Sequence, residues 1–316
     1  MKKGIVIKST GSWYTVEDET GDLFDCKIKG NFRIKGIKST NPVAVGDHVR
    51  FSPLPASETD NTPKMGLIVS IDKRRNYIIR RSQKLSKQSH IIASNIDQAV
   101  LVVTLSYPVT TTTFIDRYLA SAEAYRIPVL IVFNKTDLYN TQQKNELQLL
   151  IKIYHKIGYE CLHTSAEKIE GIIQLKAALH NKTNVFNGHS GVGKSTLINL
   201  IQPGLNLKTE EISDSHKTGK HTTTYSALYK LSFGGYIIDT PGIKGFGVLE
   251  MEPWEISHYF PEIFKISLDC QYNNCSHTHE PGCAVKIAVE NKEIAQSRFI
   301  SYLGLLEKDG KYRPAF

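Results

Sequence analysis

The amino-acid sequence predicts a multidomain α/β protein with three parts in series: an N-terminal β-barrel of the OB type, a central parallel sheet covered by helices, and a cysteine-bearing C-terminal helical domain. Three observations lead there. Five short strand patterns with turn-rich breaks crowd into the first 72 residues, which suits a small barrel. From residue 96 the apolar runs 99–105 and 129–133 alternate with helical stretches, the rhythm of a parallel sheet buried on both faces. Past residue 246 that rhythm stops, and three of the five cysteines fall within fourteen residues.

Taken in order, strands are expected at residues 4–8, 12–17, 22–28, 48–52 and 66–72, broken by Glu19-Thr20-Gly21-Asp22 and by the proline-bearing stretch 53–63. Trp13, Tyr14, Phe24, Phe32 and Phe51 interleave with lysines and arginines there. Most of these rings are expected in the core, with a minority outside. Residues 73–95 read as a basic linker, carrying Lys73, Arg74, Arg75, Arg80, Arg81, Lys84 and Lys87. The central domain, 96–246, should run strand 99–105, helix 113–125, strand 129–133, helix 142–156, strand 159–164, helix 169–179, strand 184–187, a helix opening near Thr196 and a strand at 236–238. The C-terminal domain, 247–316, adds a helix at 293–307 and a basic tail with Lys308, Lys311 and Arg313.

Gly188-His189-Ser190-Gly191-Val192-Gly193-Lys194-Ser195 matches the phosphate-cradling pattern G-x-x-x-x-G-K-[ST], after an apolar strand and before the helix that Thr196 enters. Its glycines let backbone N–H groups curl around phosphate oxygens. Lys194 reaches the β- and γ-phosphates, and Ser195 offers a hydroxyl to Mg²⁺. The base is named by Asn134-Lys135-Thr136-Asp137, at the end of the strand 129–133. The Asp137 carboxylate can accept both N1–H and the 2-amino hydrogens of guanine, which adenine does not offer in that arrangement. After the next strand, Thr164-Ser165-Ala166 completes the pocket, with the Ala166 N–H available to guanine O6. Asp239-Thr240-Pro241-Gly242 follows another buried strand. Asp239 would hold Mg²⁺ through water, and Gly242 would present its N–H to the γ-phosphate. Between them, Gly219-Lys220-His221-Thr222-Thr223-Thr224 should supply a switch threonine to Mg²⁺, Thr223 or Thr224 in preference to Thr222. Cofactors are therefore GTP/GDP and Mg²⁺. Ile243, the residue after Gly242, cannot orient an attacking water, so His221 is the candidate for that role, with Lys194 on the phosphates.

Cys270, Cys275 and Cys283 with one histidine match a Cys₃His zinc shell, in which four protein ligands leave no open position. His277 and His279 compete for the fourth place. Cys26 and Cys161 read as buried thiols.

The order of the parts is unusual. In ordinary small G proteins the phosphate loop comes first, whereas here Asp137 and Ser165 precede Gly188. Joining the original ends of a parallel sheet and opening a new break leaves strand neighbours unchanged, so the pattern predicts circular permutation. With a barrel in front and Cys270-x4-Cys275-x-His277-x5-Cys283 behind, the chain resembles the bacterial RsgA/YjeQ family of circularly permuted, small-ribosomal-subunit-dependent GTPases over essentially its whole length. The resemblance implies an OB-fold, a circularly permuted P-loop GTPase domain and a zinc-binding C-terminal domain acting in late 30S maturation. It also favours His277 over His279.

The charge distribution bears on the partner. Residues 1–90 hold 17 Lys and Arg against 9 Asp and Glu, a difference of +8, which is the net charge of the whole chain; residues 91–316 balance at 22 of each. An anionic partner at the N-terminal end is implied, and the family points to the 30S subunit and its 16S rRNA. No apolar run approaches the ~20 residues that span a bilayer, and Lys8 and Gly11 cut the stretch after Met1-Lys2-Lys3, so a cytoplasmic protein with no membrane partner is expected, as a monomer. Composition, 41% hydrophobic and 22% charged, excludes global disorder. Two rival readings remain, a nucleotide-independent RNA-binding scaffold and a P-loop ATPase or kinase.

Overall fold

The computed structural model describes residues 1–28, 42–55, 64–81, 89–205, 226–239 and 251–307. The N-terminal strands are β1 (Lys2–Ser9), β2 (Tyr14–Asp18), β3 (Leu23–Ile28), β4 (His48–Pro53) and β5 (Met65–Ile71). They pair in the order β1-β2-β3-β5-β4, and β4 returns to β1 with Lys2 opposite Phe51 and Ile5 opposite His48, which closes the barrel. Only β3 and β5 run parallel. Inward positions alternate along the strands as the pleat requires: Val6, Tyr14, Val16, Phe24, Cys26, Val49, Phe51 and Ile68 form the barrel core. Three of the predicted aromatics are thus core, while Trp13 is exposed with the Lys27 ammonium 4.3 Å from its ring centre. Phe32 lies outside the described residues.

The stretch read as a linker is instead a hairpin, β6 (Tyr77–Arg81) paired with β7 (Ser89–Ser94). Its basic residues suggested solvated chain. The apolar positions between them, Ile78 with Ala93 and Ile96, are fully buried in the same cluster as Ala99, Leu101 and Val103. The Arg74 guanidinium grips both Asp47 oxygens at 2.6 Å, and Asp47 also accepts from the Ser94 hydroxyl and the Ala44 N–H. Barrel, hairpin and central domain therefore share one joint.

The central domain comprises β8 (Gln98–Val103), α1 (Thr112–Ala124), β9 (Val129–Phe133), α2 (Thr141–Ile157), β10 (Glu160–His163), α3 (Ile172–Leu179), β11 (Thr183–Asn187), α4 (Lys194–Ile201), β12 (Ala227–Lys230) and β13 (Tyr236–Asp239). Local chemistry sets the helix ends. Thr111 caps α1 by accepting from Phe114 N–H, and Asn140 with Gln143 makes a reciprocal capping box on α2 before Gly158 ends it in a left-handed turn. The strand order is β10-β9-β8-β11-β13-β12, with every neighbouring pair parallel except β12–β13. β8 and β9 are buried at every position because helices cover both faces. β12 also meets the barrel, Lys8 opposite Ala227, so the two domains share a continuous sheet, with the Lys230 ammonium on Glu17 beside it.

α5 (Pro261–Ser267), α6 (Ala284–Glu290) and α7 (Gln296–Leu306) form one cluster that packs on α1 through α7 and the turn at Ile256–Tyr259. Ala120 of α1 belongs to their core, with Phe260, Ile263, Val285 and Tyr302. At the contact Arg298 is buried, donating to Asp116 at 2.9 Å and bidentately to Glu262 at 2.6 and 3.1 Å, with Tyr154 also donating to Asp116.

Candidate nucleotide site and metal centre

Since β8, β9, β10, β11 and β13 are mutually parallel, their carboxyl ends lie along one edge of the sheet, where ligands bind in open α/β folds. The predicted motifs sit on that edge. Gly188–Thr196 leaves β11 and enters α4, the Asn134–Asp137 turn leaves β9, Thr164–Ala166 leaves β10, and Asp239 is the last residue of β13. The permuted chain order and the spatial order are therefore compatible, because a sheet requires neighbours and not sequence adjacency.

Steric constraints explain the glycines. A Cβ on Gly188 would lie 2.1 Å from Val102 O, and one on Gly193 2.4 Å from Asn134 Nδ2, both in left-handed backbone. Asn134 is what Gly193 makes room for. Fully buried, it donates to Val192 O at 2.9 Å and accepts from Thr164 Oγ1 at 2.9 Å, tying the phosphate loop to the turns after β9 and β10. Lys135, itself left-handed at φ 61°, donates to Tyr107 O at 2.8 Å. Asp137 accepts from the Ser165 hydroxyl at 2.6 Å, which holds the carboxylate still.

Lys194 turns back on its own loop, donating to Gly188 O at 2.7 Å and His189 O at 2.6 Å. Burial pushes its ammonium down to about 8. His189 lies against Phe114 of α1, ring centres 3.9 Å apart and tilted by 33°, and burial followed by the Lys194 charge lowers its pKa. Ser190 and Gly191 are exposed at the loop tip and Ser195 is half-buried in the first turn of α4. His221, Thr222, Thr223, Thr224, Gly242 and Ile243 lie outside the described residues.

Sequence reasoning missed several supports. The Tyr139 hydroxyl accepts from Leu105 N–H and donates to Asn134 O, and Phe114 backs the phosphate loop. No periodicity or motif marks either, since the Leu105–Tyr139 and Phe114–His189 contacts join segments distant in sequence.

Cys270, Cys275, His277 and Cys283 bring their donor atoms within 4.8 Å of one another. Zinc with Zn–S near 2.3 Å and Zn–N near 2.0 Å requires tetrahedral edges of about 3.8 Å between sulfurs and about 3.5 Å from sulfur to nitrogen. Cys270 Sγ lies 3.9 Å from Cys283 Sγ, and His277 Nδ1 lies 3.7 and 3.4 Å from them. The donor set and spacing fit Zn²⁺ in a closed, structural shell. His279 is exposed and its Nδ1 meets Thr278 Oγ1, outside the cluster. Glu280 accepts from the Ser276 and Thr278 N–H groups and fastens the turn that carries His277.

The family model described as RsgA GTPase matches residues 71–249, and the RsgA N-terminal domain model matches residues 3–60. The chain is 57% identical over 316 residues to the Small ribosomal subunit biogenesis GTPase RsgA 2 of Bacteroides thetaiotaomicron, covering 99% of this chain and all of the relative. It is 54% identical over 311 residues to the corresponding RsgA of Flavobacterium johnsoniae, covering 98% and 94%. Among solved structures, YjeQ from Thermotoga maritima superposes with a TM-score of 0.78 at 37% identity over 96% of this chain and 97% of that one. YloQ, a circularly permuted GTPase, gives 0.75 at 30% identity over 100% and 97%. With the barrel, the permuted sheet and the Cys₃His cluster all in place, the chain belongs to the RsgA GTPase family.

Proposed function

We propose that this protein hydrolyses GTP to GDP and phosphate while bound to the small ribosomal subunit, assisting that subunit's late maturation, in the cytoplasm and as a monomer contacting 16S rRNA. The observation that carries the nucleotide reading is the Asn134 bridge to Val192 and Thr164, which holds base-reading turns and phosphate loop as one cradle. The names of the relatives support the subunit as partner.

In this reading Asp137 takes the guanine N1–H and 2-amino hydrogens, and the Ala166 N–H takes O6. The amides of residues 188–196 surround the phosphates. Lys194 exchanges the Gly188 and His189 carbonyls for β- and γ-oxygens, a favourable trade because the displaced contacts are neutral dipoles and the new ones anionic. Ser195, Thr224 and Asp239, with Thr223 adjacent, would hold Mg²⁺, which when bound would supply positive charge against the phosphates. Gly242 offers its N–H to the γ-phosphate, and His221 orients the water that Ile243 cannot. Domains run 1–72, 96–246 and 247–316, with 73–95 as the joint between the first two.

The rivals are separable. ATP competing with GTP equally would favour an ATPase or kinase, and no phosphate release at all would favour a scaffold. The principal test is GTP turnover with and without purified 30S subunits. Strong stimulation is expected, abolished by Lys194→Ala, and reduced to the basal rate by His221→Ala with nucleotide affinity retained. Equal rates with and without subunits would overturn the proposal.

A further inference from the structure

Three rings stand together on the surface of the C-terminal domain. Trp254 is 68% exposed and meets His258 edge-on at 6.3 Å, and His258 meets Phe264 at 4.9 Å. Phe264 is 40% exposed, and Leu268, one turn along, is 74% exposed. Ile256, Phe260 and Ile263 of the same segment are buried in the domain core. The outward rings are therefore a second apolar face on a segment whose core face is already filled. Clustered exposed aromatics of this kind form the dry centre of protein interfaces, with tryptophan foremost among anchoring residues.

The charges flanking the face decide the class of partner. Within residues 251–269 the acids are Glu252, Glu255, Glu262 and Asp269 against Lys265 alone. Glu262 is committed to Arg298, which leaves Glu252, Glu255 and Asp269 against Lys265 in the segment that carries the rings. A phosphate backbone would be repelled here, whereas a basic protein surface would be attracted and steered. Resting on the reading that the chain works on the small subunit, we propose that the Trp254–His258–Phe264–Leu268 face docks a lysine- and arginine-rich protein of that subunit, leaving RNA to the basic residues 1–90.

The test is 30S affinity measured by co-sedimentation over a range of salt for the full-length zinc-loaded protein and for Trp254→Ala, Leu268→Ala and Glu255→Lys. Zinc content and basal GTP turnover serve as controls, and both should match the parent. Trp254→Ala should weaken binding about tenfold, near 1.4 kcal/mol, with the salt slope unchanged, and Leu268→Ala should weaken it in the same sense. Glu255→Lys should also weaken binding, because it places a cation against a cationic partner. An RNA occupant gives the opposite sign: Glu255→Lys would tighten binding and steepen the slope by about one phosphate contact, which overturns the proposal. Parent-like affinity in all three variants also overturns it. Failure of the parent chain itself to co-sediment would instead remove the functional reading on which the proposal stands.

Discussion

Lys194 waits on two carbonyls of its own loop, and the cost of burying its charge there sets a measurable pH dependence. Its pKa of about 8 in the free loop must rise once phosphates surround it, since anions favour the protonated form. Nucleotide binding therefore takes up a proton above pH 8. GTP affinity should be near its plateau at pH 7, begin to fall as the pH passes through about 8, and then drop by up to about tenfold per unit, as linkage of a single proton requires. Titration by fluorescence with a GTP analogue checks this, and the fall should vanish in Lys194→Ala. At Asp137, the Ser165 hydroxyl fixes the carboxylate that the proposed function assigns to the guanine edge. Asp137→Asn should weaken GTP binding and gain affinity for xanthosine triphosphate, whose extra carbonyl pairs with the amide. An unchanged preference in a competition assay would remove Asp137 from the base pocket.

Helix α1 carries the contact between the nucleotide domain and the zinc domain. Its Phe114 touches the phosphate loop at His189, while Asp116, two residues on and turned to another face, is fully buried against Arg298 of α7. Arg117 adds a hydrogen bond to Gly304 O at 3.1 Å. Replacing Arg298 by alanine would strand two carboxylates, Asp116 and Glu262, without their cation. The expected loss is about 3–5 kcal/mol, read as a lower urea midpoint, and Arg298→Lys should recover only part because it lacks the two-pronged fork. The turn at 275–283 makes a sharper separation possible. His277→Ala should release zinc on elemental analysis, since its Nδ1 is an edge of the tetrahedron, and His279→Ala should retain one zinc per chain.

Across the whole molecule, charge and connection are arranged differently from one end to the other. The +8 of the chain is carried by residues 1–90 of the sequence, while residues 91–316 are neutral. Binding to the 30S subunit should fall steeply with salt, and Lys27→Glu, on the exposed pair Lys27–Trp13, should weaken it and reduce the salt slope by about one. Deleting the barrel outright is a poorer experiment. β12 would lose β1, and Ile5, Ile7 and Val45, which pack on the central core, would leave it open. A point substitution keeps the continuous sheet and isolates the charge.

Chemistry that resides in short contiguous stretches was legible before any fold was known. The phosphate-loop pattern, the Asn134–Asp137 turn and Ser165 with Ala166 are contiguous stretches, and Cys270, Cys275 and Cys283 fall within fourteen residues, so the pattern along the chain points to each. The barrel strands and the parallel core were legible for a similar reason, since pleat alternation and continuous burial are written as periodicity. The hairpin at 77–94 was not, because its few apolar side chains are interleaved with arginines and only the neighbouring sheet makes them interior. The choice of His277 over His279 on geometric grounds depended on which ring the backbone turns toward three sulfurs. The tie from Asn134 to Val192 spans 58 residues, that from Arg298 to Asp116 spans 182, and that from Lys230 to Glu17 spans 213. Contacts of such separation leave no pattern along the chain, because they form only after the sheet has brought its strands side by side.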